Sequence, residues 1–324
     1  MRLNLSKLLQ LRWNVFVYKR LSWEAVFFYI IILGKLYFLF NRNEKRNIEE
    51  AIETVYRGSR STFEMKSIKR RVFYGILAHY YEKLFNAYEG IEGLRVFFKK
   101  SIEIQCLKKL DNALKAGKGL LFVTGHYGGI EYIPILLALH KYPISVIAKF
   151  ETHDLKHTLY MKTNNLGLRI IDARQKNGTL TTIIKELKEN RIVFIECDEI
   201  EEWRPSQKEK LFFLGKMIGV DKTINIIKKR TGAELIFGIL HRFSLGKYNL
   251  ILESYQDLLQ RVGNASSSVG EAILETFVQY IYSYPEEWYQ WKNYMQIKAL
   301  SGSGARVERP PAFPSLQPAL GKII

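Results

Sequence analysis

Cysteine is nearly missing from the 324 residues: Cys106 and Cys197 are the only two, and neither belongs to a CxxC pair. Two isolated thiols exclude a disulfide framework and a thiolate zinc cluster, and they make a reducing compartment the default. HExxH is also absent, which removes the helical zinc-hydrolase pattern. So is GxSxG; without that elbow there is no hydrolase-type serine, and a nucleophile has to come from a substrate. No small-residue cleavage site follows the apolar N-terminal stretch, and no internal repeat is evident. Acidic side chains are the scarcer sign, 32 against 49 Lys and Arg, for a net charge of +17. The excess is uneven, because residues 1–120 hold 23 basic and 11 acidic side chains. Such a surface suits an anionic membrane face or an acidic protein partner. With no RNA- or DNA-binding motif beside the charge, nucleic acid is not an expected partner.

Apolar residues are plentiful: 47% of the chain is hydrophobic and 13% aromatic, which makes it globular. Residues 25–40 (AVFFYIIILGKLYFLF) are apolar apart from Lys35. Sixteen helical residues reach about 24 Å, against a hydrocarbon core of ~30 Å. Trp13, Tyr18, Trp23 and Tyr29 suit an interfacial belt, and basic residues flank the run on both sides. A membrane anchor is the expectation for this segment, with a buried core helix as the alternative. In residues 63–85 apolar positions recur in steps of four, as on an amphipathic helix.

From residue 107 the pattern alternates. Helices are predicted near 107–116, from 129, and over 155–166, 179–188 and 268–282. Strands are predicted over 119–124, 144–148, 169–171, 192–196, 234–241 and 248–252. The implied fold class is α/β, a central and mostly parallel β-sheet flanked by helices, preceded by an N-terminal membrane-anchoring helical region. The corresponding division is 1–60 for the anchor and basic juxtamembrane helix, 61–297 for the α/β domain and 298–324 for a flexible tail. Residues 301–324 are rich in Pro, Gly and Ser and lose all periodicity.

The most informative stretch is VTGHYGGIEY, residues 123–132, which follows an apolar strand and places His126 and Glu131 five positions apart. On one continuous helix that spacing separates two side chains by roughly 140°. If His126 instead lies in the turn and Glu131 in the first turns of a helix, the two can converge. Gly128 and Gly129 permit a tight turn and close approach of a substrate to the backbone. A carboxylate that holds one imidazole nitrogen leaves the other free to take a proton. His79, His140, His153, His157 and His241 have no partner at a telling spacing and receive no role.

The segment HYGGIE resembles the H-x4-[D/E] motif of glycerolipid and lipid A acyltransferases. The surroundings are similar to the lipid A biosynthesis (lauroyl/myristoyl) acyltransferase family. They comprise the anchor, Gly117 to Glu131, Asp198 after the fourth core strand, Phe212 to Gly215, and Pro285 with Trp288 and Trp291. The likeness spans roughly residues 20–295. It implies transfer of a fatty acyl chain from an acyl thioester, usually on acyl carrier protein, to a hydroxyl of a glycolipid or lipid A-like precursor. It further implies His126 as general base, Glu131 as its orienting carboxylate, no metal or other cofactor, and a catalytic domain on the cytoplasmic face of a bacterial inner membrane.

Gly128, Gly129, Lys149, Arg169, Asp198 and Arg204 are the expected substrate contacts, with Arg174 and Lys210 as further basic candidates for phosphate groups. Trp288 and Trp291 are read as core packing, and Phe212 and Phe213 as part of a hydrophobic wall. The chain departs from the family pattern at Thr163, where an Arg commonly precedes the glycine (here Gly167), and at Glu199, where a Gln is usual. A different lipid or secondary-metabolite acceptor, or a module that binds acyl-lipid or carrier without turnover, are the competing readings.

Overall fold

A computed structural model describes residues 4–150, 152–173, 178–199, 203–263 and 267–300; Arg174 and the tail beyond residue 300 lie outside them. Six helices open the chain: α1 (Leu5–Leu9), α2 (Arg12–Tyr18), α3 (Trp23–Phe40), α4 (Arg42–Tyr56), α5 (Thr62–Tyr88) and α6 (Ile91–Ser101). Ser22 caps α3 by accepting from the Ala25 N–H. Ser61 and Glu64 form a reciprocal capping box at the start of α5, satisfying N–H groups that a helix start leaves free.

α3 presents two different sides. Val26, Ile30, Gly34, Tyr37 and Phe38 are buried, whereas Phe28, Ile32, Leu36, Leu39 and Phe40 are exposed. The buried side lies against α5, where Gly34 leaves room for Leu77: a Cβ at Gly34 would fall 2.2 Å from Leu77 Cδ2. The helix is long and apolar enough to cross a membrane. Its buried residues join one continuous core that runs from Leu5 through α4 and α5 to Trp288 and Ile297.

The α/β layer follows as β1 (Ile102–Ile104), α7 (Lys108–Lys115), β2 (Leu120–Thr124), α8 (Ile133–Leu139), β3 (Ile144–Ala148), α9 (His153–Asn164), β4 (Arg169–Asp172), α10 (Thr179–Lys188) and β5 (Ile192–Glu196). It continues with β6 (Pro205–Phe213), β7 (Lys216–Asp221), α11 (Lys222–Thr231), β8 (Glu234–Ser244), β9 (Lys247–Ser254), α12 (Tyr255–Val262) and α13 (Val269–Ser283). Seven strands form one sheet in the order β1-β9-β8-β2-β5-β3-β4, and β6 and β7 form a separate hairpin. The five strands from β8 to β4 are parallel, and β9 runs antiparallel to β8. β2 is buried along its whole length, as expected of a strand covered on both faces.

The predicted alternation from 107 to 196 and the mostly parallel sheet agree with this architecture. Sequence periodicity missed α6, β1, α11, α12 and the hairpin. β6 carries Lys208, Glu209 and Lys210 between its apolar positions, so it lacks the apolar run of the sheet strands. The helix expected from residue 129 begins instead as a 3-10 turn, Ile130–Tyr132, ahead of α8. Pro134 has no N–H to return to the Ile130 carbonyl.

After α13 the chain runs as two 3-10 segments, Pro285–Glu287 and Tyr289–Gln296. This strap crosses α5 at Gly75, where an added Cβ would lie 1.7 Å from the Glu286 carbonyl oxygen. Helix propensity alone favours Ala over Gly by about 1 kcal/mol, but overpacking against a fixed backbone costs about 1–3 kcal/mol. Gly75→Ala is therefore expected to lower the thermal midpoint. A midpoint at or above that of the parent would show that the strap is not pinned to α5.

Candidate active site

The pairing register fixes the site before any side chain is considered. β2 and β5 are parallel neighbours with Thr124 opposite Glu196. Two residues further along each chain stand His126 and Asp198, at the same height on the C-terminal edge of the sheet. That edge is where open α/β sheets gather ligands.

Asp198 is completely buried. Its carboxylate accepts from the His126 backbone N–H at 3.0 and 3.1 Å and from Trp288 Nε1 at 2.8 Å, and it lies 3.0 Å from His126 Nδ1. An ionised carboxylate only accepts, so the Nδ1 proton belongs to this bond and Nε2 is the outward nitrogen. Gln290 Nε2 stands 3.1 Å from the same Nδ1. Outward, Nε2 faces Glu196 Oε2 at 3.6 Å and Glu199 Oε1 at 3.5 Å. These are ion-pair separations, longer than good hydrogen bonds. The His126, Glu196 and Glu199 side chains are 15%, 34% and 45% exposed, so the cluster opens to solvent. Its three ligand atoms lie within 4.8 Å of one another, the spacing at which such a set can share a cation.

Burial pulls the His126 pKa down, but Glu196, Asp198 and Glu199 outweigh it and hold the imidazolium well above the ordinary range. Glu196 is pushed up to about 7, by burial first and by its acidic neighbours Glu199 and Asp198, against the pull of His126. The group titrates as a coupled unit.

Glu131 occupies a different place from the one its spacing suggests. Its carboxylate lies 3.7 Å from His79 Nε2 and 3.6 Å from Lys83 Nζ, both on α5, and not within ion-pair distance of His126. Glu131 keeps Lys83 protonated against the opposing effect of burial. His79 stacks on Tyr289 with ring centroids 4.1 Å apart, and Tyr289 in turn lies 5.8 Å from the His126 ring. The motif's two residues thus meet through His79 and Tyr289 rather than directly.

The two glycines form the tight turn expected of them, but the groups that approach them closely belong to the protein itself. The Gly128 N–H bonds to the Glu287 carbonyl at 2.9 Å and the Gly129 N–H to the Leu240 carbonyl at 2.8 Å. Gly128 has φ +55°, and a Cβ there would fall 2.1 Å from the Leu240 oxygen. What approaches this backbone is β8 and the strap, and the two N–H groups are not free for a substrate.

Arg169 is not brought to His126. It begins β4, opposite Ser145 in β3, so it lies toward the end of the parallel sheet away from His126, where it is paired with Glu186 and Glu189. Lys149 is exposed just beyond the C-terminal end of β3, and Arg204 is exposed ahead of β6. Trp288 is core, as expected, but it also donates to Asp198. Phe213 packs edge-on to Trp288 at 5.9 Å, consistent with a hydrophobic wall. His79, Lys83, Glu196, Tyr289 and Gln290 carried no local signal. Glu199 did, as a departure from the family pattern.

A family model described as bacterial lipid A biosynthesis acyltransferase matches residues 96–293. No curated protein matches the chain. The electrostatics predict a pH signature. If His126 is a base, its raised pKa keeps it protonated, hence inactive, up to that higher pH, so the acidic limb of kcat/KM should lie above the ordinary histidine value of about 6.5. Glu199→Gln removes one carboxylate facing Nε2 and should move that limb to lower pH. A limb that stays in place would mean that Glu199 does not act on the titrating group.

Proposed function

This chain belongs to the bacterial lipid A biosynthesis acyltransferase family, and we propose that it transfers a fatty acyl chain from an acyl thioester, carried by acyl carrier protein, to a hydroxyl of a glycolipid acceptor. The observation that carries the mechanism is the 3.0 Å contact of His126 Nδ1 with the buried carboxylate of Asp198. It fixes ring and tautomer and leaves Nε2 as base.

With His126 neutral, Nε2 takes the proton of the acceptor hydroxyl while that oxygen attacks the thioester carbonyl carbon. The carbonyl π pair moves onto oxygen. Its return expels the thiolate, which takes the proton back from Nε2. Glu196 and Glu199 stabilise the imidazolium between the two transfers. Glu131 acts at one remove in this scheme, pairing with Lys83 and with His79, which stacks on the ring of Tyr289 that flanks the base. No step needs a metal or a nucleotide.

For location, the exposed stripe Phe28, Ile32, Leu36 and Leu39 on α3 and the basic balance of the first 120 residues support seating on an anionic membrane. A carrier-borne donor and a thiol-containing chain favour the cytoplasmic face. The same basic excess suits the acidic carrier.

His126→Ala is expected to lower kcat by about 10²–10⁴, and Asp198→Asn by a comparable amount with the imidazole tautomer reversed. Near-normal transfer by purified His126→Ala protein would end this mechanism. Lipid mass spectrometry of cells with and without the gene should reveal a difference of one acyl chain, which names the acceptor and the chain length. Replacing Phe28, Ile32 and Leu36 together by Gln should weaken flotation with anionic vesicles without lowering the thermal midpoint. Unchanged flotation would remove α3 from the account of membrane binding.

A further inference from the structure

The developing oxyanion needs a donor, and the nearest backbone groups are already engaged. From His126 to Gly129 the four consecutive N–H groups bond to Asp198, Gly125, Glu287 and Leu240. A side chain has to serve instead.

Tyr289 is tied to the base by its own N–H, which donates to the His126 carbonyl at 2.9 Å. Its ring lies 5.8 Å from the imidazole and is only partly buried. Its hydroxyl oxygen meets two groups, Lys292 Nζ at 2.9 Å and the Tyr80 hydroxyl at 3.1 Å. An ammonium can only donate, so Tyr289 accepts from Lys292. Tyr80 is buried, 4% exposed, and its hydroxyl has no other partner among the described residues. Were it to accept from Tyr289, its own proton would be stranded in the interior, which is unfavourable. Tyr80 therefore donates, and Tyr289, with two hydrogen bonds entering its oxygen, keeps its proton to give.

Lys292 makes no ion pair with a carboxylate among the described residues, so its charge acts on the phenol undiminished. Burial would raise the Tyr289 pKa, but Lys292 and Lys83 outweigh it and hold the phenol below its ordinary value. A polarised phenol is a stronger donor to a forming anion.

Resting on the acyl-transfer reading above, we propose that the Tyr289 hydroxyl donates to the thioester carbonyl oxygen as it becomes an oxyanion, with Lys292 and Tyr80 as positioning residues. The reacting carbon sits roughly one hydrogen bond plus one covalent bond from Nε2, and an oxyanion donor about 3 Å from the oxygen. The Tyr289 ring, 5.8 Å from the imidazole and joined to the His126 carbonyl through its own N–H, flanks the base at a distance of that order. As the acceptor oxygen bonds to carbon, the C=O π pair becomes a lone pair held by the Tyr289 O–H. As the C–S bond breaks, that pair re-forms the carbonyl and the phenol keeps its proton throughout.

Tyr289→Phe keeps the ring against His79 and removes only the hydroxyl. The expected result in a purified assay is a kcat lower by about 10²–10³, the usual loss for one such donor, with the donor KM within about threefold of the parent. Lys292→Met should lower kcat less and shift the alkaline phenol absorbance titration upward, and Lys292→Arg should restore both. His126→Ala is assayed in parallel. If that variant is inactive while Tyr289→Phe turns over normally, or if Tyr289→Phe raises KM at unchanged kcat, the oxyanion role is overturned and the base mechanism survives. If His126→Ala is active, the underlying reading is what fails. Should Tyr289→Phe not fold, the Lys292 pair decides, and Lys292→Met at full kcat with an unmoved phenol titration rejects the proposal.

Discussion

The site depends on one buried carboxylate. Asp198 has no exposed surface, and an ionised group taken out of water is tolerated only when donors surround it. Those donors come from two places: the backbone N–H and Nδ1 of His126, in the turn after β2, and Nε1 of Trp288, in the strap after α13. Neither segment can be misplaced without leaving a charge unanswered in the interior. The β2–β5 register, the glycine turn and the strap therefore form as one arrangement, and the orientation of the imidazole follows from it.

Around that carboxylate the charges separate by sign. Glu196 and Glu199 gather on the side of Nε2. Lys83 and Lys292 stand on the side of Tyr289, joined to Glu131 and to the phenol oxygen. In an acyl transfer a cation forms transiently on the base and an anion on the carbonyl oxygen. A site with opposite fixed charges on its two flanks lowers both without reorganising at the moment of reaction. The net charge of +17 describes the outer surface and gives no hint of this internal polarity.

How far the sequence revealed this can be seen residue by residue. The apolar run ending at Thr124, with His126 and two glycines behind it, located the turn, and the alternation of helices and strands located the sheet. The spacing of His126 and Glu131 invited a local pairing that the fold does not make. Glu131 sits in a 3-10 turn beside α5, so its partners His79 and Lys83 come from an element about fifty residues upstream, where no spacing rule reaches. Trp288 read as core because burial is what a tryptophan usually signals, and its indole N–H is invisible to periodicity. Arg169 begins β4, and in a parallel sheet the first residue of a strand lies at the end opposite the C-terminal edge that holds His126. The assignment of Asp198 as the carboxylate on the ring required the register Thr124 to Glu196, which only pairing in three dimensions supplies.

The strap that crosses α5 at Gly75 carries Trp288, Tyr289 and Gln290 to the site, and the opposite side of α5 carries Leu77 into contact with α3. The helix with the exposed apolar stripe is thus, on its inner side, part of the scaffold beneath His126. Removing the first forty residues would uncover the side of α5 that α3 occupies and so disturb the helix on which the strap rests. The exposed apolar stripe of α3 and the turn that carries His126 belong to one folding unit, so selection on either constrains the other.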